Sequence, residues 1–361
     1  MSRIQALAEI VRAEEADAML LTGEVNLIYA LETVGLEGKC IVYADGKAVF
    51  LTDGRYIEAA QPLADAGLEL LNQGAAASRL DYPAALLEAA GVRKLMYEDD
   101  VLTVAEFAEM RNDLQNCNLV PIGSRIRALR ACKSDAEIAY MVKAQRIAEA
   151  ALERLLPELH TGMTEQEAAA RLNYYMALGG SEKPSFDTIL LFGENTSKPH
   201  GIPGETRLRS GDFVLADFGA VYHGYHSDMT RTFAFGNATD EMRTVYETVL
   251  RAQSAAQEMA KTGLLCSDMH KAAAKVIADA GYGDYFTHAL GHSVGLEIHE
   301  MPIASPRCDE PLREGIVITD EPGIYMPGKF GVRIEDMIAI SGDTPHNLTA
   351  FPKEFRILPE Q

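Results

Sequence analysis

Apolar residues recur along this chain at two spacings, and the changes between them mark where elements begin and end. Ile4, Leu7 and Val11 fall at helical intervals among charged residues, which predicts an amphipathic opening helix. Short apolar runs at 18–21, 38–43 and 48–52 are separated by turn residues and read as strands, whereas the Ala/Leu-rich stretch 82–90 is helical in pattern. Residues up to about Val120 therefore read as an α/β domain. It has no phosphate-cradling glycine loop, Gly35 and Gly38 being too isolated to make one. Pro121-Ile122-Gly123 marks a boundary that divides the chain into 1–124 and 125–361. The basic residues beyond it, Arg125, Arg127, Arg130 and Lys133, are expected on an exposed connection between the domains.

The second domain opens on Ser134-Asp135-Ala136-Glu137, a capping box in which Ser134 and Glu137 cover each other's backbone amides and start a long helix to about Leu156. Thr164-Glu165-Gln166-Glu167 repeats the device and opens a second helix toward Leu178, closed by Gly179-Gly180. Strand-like segments follow at 187–192, 213–218 and 229–235. The order then recurs, with helical stretches at 240–261 and 267–280 ahead of strand-like runs at 315–321 and 332–340. Helices followed by a pair of strands, twice over, predict two similar halves facing each other across one site. The halves share no obvious sequence identity.

Composition narrows the function classes more than the fold. At 361 residues the chain exceeds most single domains, and 47% hydrophobic with 24% charged residues is ordinary for a globular protein. A formal charge of −20 argues against nucleic acid or an anionic membrane as partner. No basic leader with a long apolar core opens the chain, and no apolar run reaches bilayer length. Five scattered cysteines without a Cys-x-x-Cys pair fit reduced thiols and a cytoplasmic location.

The chemistry concentrates in the last two fifths. Asp217 ends the apolar run Phe213-Val214-Leu215-Ala216, where burying a lone carboxylate would cost several kcal/mol, so a cation is needed there. Asp228 follows eleven residues later, and His223-Gly224-Tyr225 between them favours a hairpin that brings the two acids together. The strand period places Asp228, Thr230 and Thr232 on one face. Glu321 ends a second apolar strand, with Thr319 on its face and Asp320 on the other, and Arg333 and Glu335 alternate with the apolar Val332 and Ile334. His292, set in the glycine loop Gly291-His292-Ser293-Val294-Gly295, adds one imidazole. Taken singly each residue reads as structural. Four acids in two matching pairs read as a site for two divalent ions, roughly 3.5 to 4 Å apart, that acidify a shared water. Oxygen-rich ligation with one imidazole suits Mn²⁺, Co²⁺, Fe²⁺ or Zn²⁺ without choosing among them.

Three further groups lie beside these ligands in the sequence. They are His200, His299 and Arg333; an imidazole can hydrogen-bond a carbonyl oxygen as charge builds on it, while Glu321, already among the ligands, could take a proton from the water. For His223, His226 and His288 a structural role and a place in the pocket wall weigh equally. His160, His270 and His346 are assigned to surface or structure.

Together these segments resemble the pita-bread metallopeptidases, the family of Xaa-Pro aminopeptidases, Xaa-Pro dipeptidases (prolidases) and methionine aminopeptidases. The carriers are Pro199-His200-Gly201, Asp217-Phe218-Gly219-Ala220, Gly224-Tyr225-His226-Ser227-Asp228-Met229-Thr230-Arg231-Thr232, Gly291-His292-Ser293-Val294-Gly295, Ile298-His299-Glu300, Glu321-Pro322-Gly323-Ile324-Tyr325 and Gly331-Val332-Arg333-Ile334-Glu335-Asp336. The first domain resembles the creatinase/prolidase N-terminal domain, in which Thr52-Asp53-Gly54-Arg55-Tyr56 is similar to a recurrent segment. The resemblance implies an α/β (α+β) fold, with a small N-terminal α/β domain and a pseudo-twofold pita-bread domain. It implies that Asp217, Asp228, His292, Glu321 and Glu335 bind two metals per subunit, Mn²⁺ foremost with Co²⁺, Zn²⁺ or Fe²⁺ as alternatives, and that Asp228 and Glu335 bridge them. It also implies that Glu321 assists proton transfer, that His200 and His299 bind substrate and stabilise the tetrahedral intermediate, that Arg333 supports the site, and that the protein is a homodimer.

One departure is Asp320, where relatives usually carry an apolar residue or Asn; alternation points it away from Glu321, beside the metals or into solvent. The expected activity is removal of an N-terminal residue from peptides with proline second, as a Xaa-Pro aminopeptidase, with a Xaa-Pro dipeptidase as the alternative. A methionine aminopeptidase normally lacks the additional N-terminal domain. A non-catalytic binding protein on the same fold and a metal-free creatine amidinohydrolase are disfavoured, because all five ligands are present.

Overall fold

The computed structural model describes residues 2–73 and 84–360. They divide into two compact units, Met1–Arg130 and Ala131–Gln361.

In the first unit the opening helix, Arg3–Ala13, buries Leu7, Ala8 and Val11, and Ser2 caps it by accepting from the Gln5 amide. The sheet runs in the order Glu69–Asn72, Ala48–Thr52, Lys39–Tyr43, Ala18–Leu21, Lys94–Tyr97, Asn118–Pro121. Ala18–Leu21 lies at its centre, antiparallel to Lys39–Tyr43 and parallel to Lys94–Tyr97, with every residue buried. That double burial is why the strand reads as an unbroken apolar run. Helix Ala84–Ala89 occupies the stretch expected to be helical at 82–90, of which residues 82 and 83 lie outside the described residues.

The basic residues after Gly123 are only partly the exposed connection expected, Arg127 being exposed and Arg130 and Lys133 buried. They lie on or just beyond the helix Arg125–Ala131, where Arg125 Nε pairs with Glu14 at 2.7 Å, Arg127 with Asp100 at 3.3 Å, and Arg130 donates to Asn26 Oδ1 at 3.0 Å. These partners hold the helix to the first unit, so the division falls six residues after the expected boundary at 124. Lys133 belongs to the second unit, where its Nζ sits 2.8 Å from Glu300 in a pair shielded from water. Of these four, Arg130 and Lys133 are buried, whereas the Arg125 and Arg127 side chains remain 40% and 47% exposed.

The second unit repeats its order of elements. Helices Asp135–Leu155 and Glu165–Leu178 precede strands Ile189–Phe192, Phe213–Phe218 and Met229–Phe235; helices Asp240–Met259 and Cys266–Asp279 precede strands that include Gly291–Ser293, Val317–Asp320 and Asp336–Ala339. Each half closes its own core. Leu152, Leu172, Leu190 and Phe218 belong to one cluster, and Val249, Ile277, Ile318 and Ile338 to the other. Ser134 and Glu137 form the expected capping box, whereas Thr164 caps its helix by accepting from the Glu167 amide and Glu167 turns to Arg171.

One buried pair fastens the strands of the two halves. Arg231, in Met229–Phe235, is 1% exposed and donates to Asp336 Oδ1 at 2.7 Å and to the carbonyls of Thr230, Glu335, Phe351 and Pro352. Removing it would leave Asp336 relying on Lys353, Gln253 and Asn347. Since Asp336 keeps those partners while several buried carbonyls lose a donor, Arg231→Met is expected to destabilise the protein by about 1–3 kcal/mol in urea unfolding, the cost of leaving buried acceptors unsatisfied.

Candidate metal centre

The first pair of acids is placed by an antiparallel ladder. Phe213–Phe218 pairs with Met229–Phe235, setting Thr230 opposite Asp217, and Asp228 immediately precedes the second strand. Between them, Val221–Tyr222 and Tyr225–His226 form a small ribbon whose two-residue turn has φ of 51° at His223 and 76° at Gly224. Those signs match the turn that suits a twisted hairpin. Gly219 allows the crossing, since a Cβ there would lie 1.8 Å from the Ser227 carbonyl oxygen.

The second pair sits at an interruption in one long hairpin. Val317–Asp320 pairs with Asp336–Ala339, and further along Gly323–Met326 pairs with Phe330–Arg333. Glu321 and Glu335 fall in the gap between the two ladders, where Pro322 has no amide to donate. His292 is the middle residue of Gly291–Ser293, and the register shifts between it and Ser293, a bulge that re-aims the side chain.

Asp217, Asp228, His292, Glu321 and Glu335 all line one cavity of about 660 Å³, together with His200, His299 and Arg333. Ligand atoms of Asp228, His292 and Glu335 lie within 4.8 Å of one another. His292 Nε2 is 3.6 Å from Asp228 and 3.5 Å from Glu321, while its Nδ1 lies 3.2 Å from the Ser293 carbonyl oxygen. With the ring proton on Nδ1, Nε2 turns a lone pair toward two carboxylates, an arrangement of acceptors that a cation resolves. Burial, helped by the neighbouring His299, pushes the His292 pKa down to about 4, so the imidazole is held in its neutral, ligating form.

The carboxyl groups say the same from the other side. Burial and then mutual repulsion raise Asp228 and Glu335 well above the ordinary carboxylate range, and burial lifts Glu321 to about 8. Asp217 Oδ2 accepts from Arg333, but its buried Oδ1 has no hydrogen-bond partner. Crowded acids, a neutral imidazole and an orphaned oxygen around one point form a donor set that fits divalent cations.

Supporting groups hold these side chains in place. Thr230 Oγ1 donates to Glu335 at 2.7 Å and accepts from Arg333 Nε at 3.0 Å; in the other half Thr319 Oγ1 donates to Glu321 at 3.1 Å and accepts from the His292 amide at 3.0 Å. Arg333 also donates to the Tyr325 hydroxyl, which contacts His288 Nε2 at 2.8 Å. His288 lines the cavity, His223 sits in the hairpin turn, and His226 contacts Ser185. Tyr325 and Ile298 stand in the sequence only within segments that carry the resemblance, without a role, and the apolar walls Phe186, Ile189, Ile202 and Ile303 carry no signal of a site. Ile189, Ile303 and Tyr325 lie on strands and Phe186, Ile202 and Ile298 outside them, and an apolar side chain reads the same from sequence whether it faces a core or a cavity.

Asp320 is neither solvated nor in the cavity wall. It is fully buried opposite Asp336, neither of its carboxylate oxygens has a hydrogen-bond partner, and burial raises its pKa well above the ordinary range. Alternation did turn it away from Glu321, but toward the core. Because an unsatisfied buried polar group costs about 1–3 kcal/mol, Asp320→Val is expected to stabilise the protein by that order in thermal or urea unfolding. A loss of stability would reveal a partner for the carboxyl.

Residues 139–342 match metallopeptidase family M24, and residues 3–132 match the creatinase/prolidase N-terminal domain. A Xaa-Pro dipeptidase of Pyrococcus horikoshii is 35% identical over 98% of each chain. The solved structure of a Xaa-Pro dipeptidase from Bacillus anthracis superposes with a TM-score of 0.93 at 36% identity, covering 99% of each chain. An X-Pro aminopeptidase structure from Thermotoga maritima reaches 0.91 at 30% identity, over 97% of this chain and 99% of that one. With both domains matched in order and the relatives aligned nearly end to end, the chain belongs to metallopeptidase family M24, a pita-bread metallopeptidase with a creatinase/prolidase N-terminal domain.

Proposed function

We propose that this chain is a Xaa-Pro dipeptidase, hydrolysing the imide bond of dipeptides that end in proline. This reverses the order expected from the sequence and its family resemblance, where the aminopeptidase stood first. The observation that carries it is likeness over almost the whole length to proteins named Xaa-Pro dipeptidase, joined to a cavity that holds the acidic centre. Aminopeptidase action on longer Xaa-Pro peptides is the second reading, favoured by the Thermotoga maritima structure.

In this proposal Asp217, Asp228, His292, Glu321 and Glu335 would hold two divalent ions, Mn²⁺ foremost. When bound, such ions supply Lewis acidity and an acidified water. Glu321, steadied by Thr319, accepts a proton from the attacking water and delivers it to the prolyl nitrogen, which cannot leave as an anion. His200 and His299, on the cavity wall, donate to the scissile carbonyl oxygen as it becomes negative. Arg333 keeps Asp217 oriented, and Phe186, Ile189, Ile202 and Ile298 offer apolar surface for the pyrrolidine ring.

Incubating the Mn²⁺-supplemented protein with a Xaa-Pro dipeptide and the matching Xaa-Pro-Xaa tripeptide tests the choice. The dipeptide is expected to be cleaved at least about tenfold faster in kcat/KM, a transition-state difference of about 1.4 kcal/mol. Equal or faster release of the first residue from the tripeptide would establish the aminopeptidase instead, and cleavage of neither would remove both.

A further inference from the structure

Outside the acidic centre, two thiols of the second unit are brought together by the backbone. Cys266 opens the helix Cys266–Asp279, and its amide donates to the Glu310 carbonyl at 3.0 Å, while the next amide, of Ser267, donates to the Cys308 carbonyl at 2.8 Å. An antiparallel bridge between Leu265 and Pro311 continues the same contact. Both cysteine side chains reach the same apolar cluster, Cys266 fully buried and Cys308 half-exposed at its edge. The Cys266 thiol is raised to about 12, chiefly by burial and then by the Cys308 sulfur beside it.

We propose that Cys266 and Cys308 form a reversible disulfide when the protein meets a small-molecule disulfide such as oxidised glutathione. Cys308 is the entry point, because an oxidant reaches it from solvent. Its thiolate attacks one sulfur of the oxidant, forming a mixed disulfide and expelling one glutathione thiolate, which takes up a proton. The Cys266 thiol then gives its proton to the second glutathione sulfur as it attacks Cys308, and that glutathione leaves as the free thiol. Two protein thiols are oxidised to one disulfide, and one glutathione disulfide is reduced to two thiols. Burial of Cys266 makes the second step the slow one. The bridge closes the segment 266–308, which carries His288, His292 and His299, and so constrains that segment in the unfolded chain.

The test uses the whole protein, incubated with oxidised glutathione and digested by trypsin without reduction. Cys266 and Cys308 lie in separate tryptic peptides, 262–271 and 308–313. The expected product is these two peptides joined, lighter by two hydrogens than their sum, and separated again by a reductant. In Cys266→Ser the 308–313 peptide is expected to retain a glutathione adduct, since no second thiol displaces it. Recovery of the two peptides unjoined from the parent protein, with free thiols or with glutathione left on Cys308, would overturn the proposal. With the bridge formed, the urea midpoint is expected to rise; an unchanged midpoint would overturn the constraint on the unfolded chain.

Discussion

Asp228→Asn is expected to lower kcat by about 10³-fold or more while leaving the fold intact and the metal-free protein more stable than the parent. The side chain is buried, it lies 3.6 Å from His292 Nε2, and it shares one point with His292 and Glu335. An amide of the same shape keeps the packing but removes a negative charge and turns a donor into a site built of acceptors. The opposite signs of the two effects separate a ligand from a structural residue. Burial and the repulsion of Asp217 and Glu321 already disfavour the Asp228 carboxylate, so its removal relieves the metal-free fold. If activity survived, or if the metal-free variant melted lower than the parent, Asp228 would be holding the structure together instead. Steady-state kinetics and a melt in chelator decide it.

The second large effect is on stability against pH. In the unfolded chain Glu321 loses its proton near its ordinary value of 4.5, but burial keeps it protonated to about 8 in the folded, metal-free protein. At this carboxyl the folded state therefore binds more protons across that window, and its contribution to stability falls as pH rises from about 4.5 to 8, with the loss complete above 8. Asp228 and Glu335 are displaced in the same direction and add to it. His226, His288 and His292, lowered to about 4 by burial, act in the opposite direction up to about pH 6.5, so the metal-free protein is expected to lose about 2 kcal/mol or more between pH 6.5 and 8, while saturating Mn²⁺ raises Tm by a larger amount at pH 8 than at pH 5. Melts in chelator and in Mn²⁺ at these pH values measure it. A Tm gain that is equal at pH 5 and pH 8 would mean that the acids are not competing with protons for a cation.

Much of this arrangement was legible in the sequence because strand periodicity carries direction. Asp217 and Asp228 could be paired because a turn signal at His223-Gly224 sits between two apolar runs, and the structure builds that hairpin. The recurrence of helices and then strands could be read as two halves because each half needs its own amphipathic set to close a core. What stayed hidden depends on tertiary partners. The arginines near residue 125 looked solvent-bound, since nothing local shows that Glu14, Asp100 and Asn26 wait for them. Asp320 looked solvated or near the metals because alternation tells which way a side chain points but not what lies there. The ranking of dipeptidase against aminopeptidase was beyond the candidate ligands altogether, since the resemblance implies the same ligand set for both.

The central claim is that this acidic centre works only with bound divalent metal. Strip the protein with a chelator, then titrate Mn²⁺ back while following hydrolysis of a Xaa-Pro dipeptide. Activity is expected to vanish on stripping and to return in step with metal, reaching its plateau near two ions per chain. Undiminished hydrolysis by the stripped protein would contradict the account.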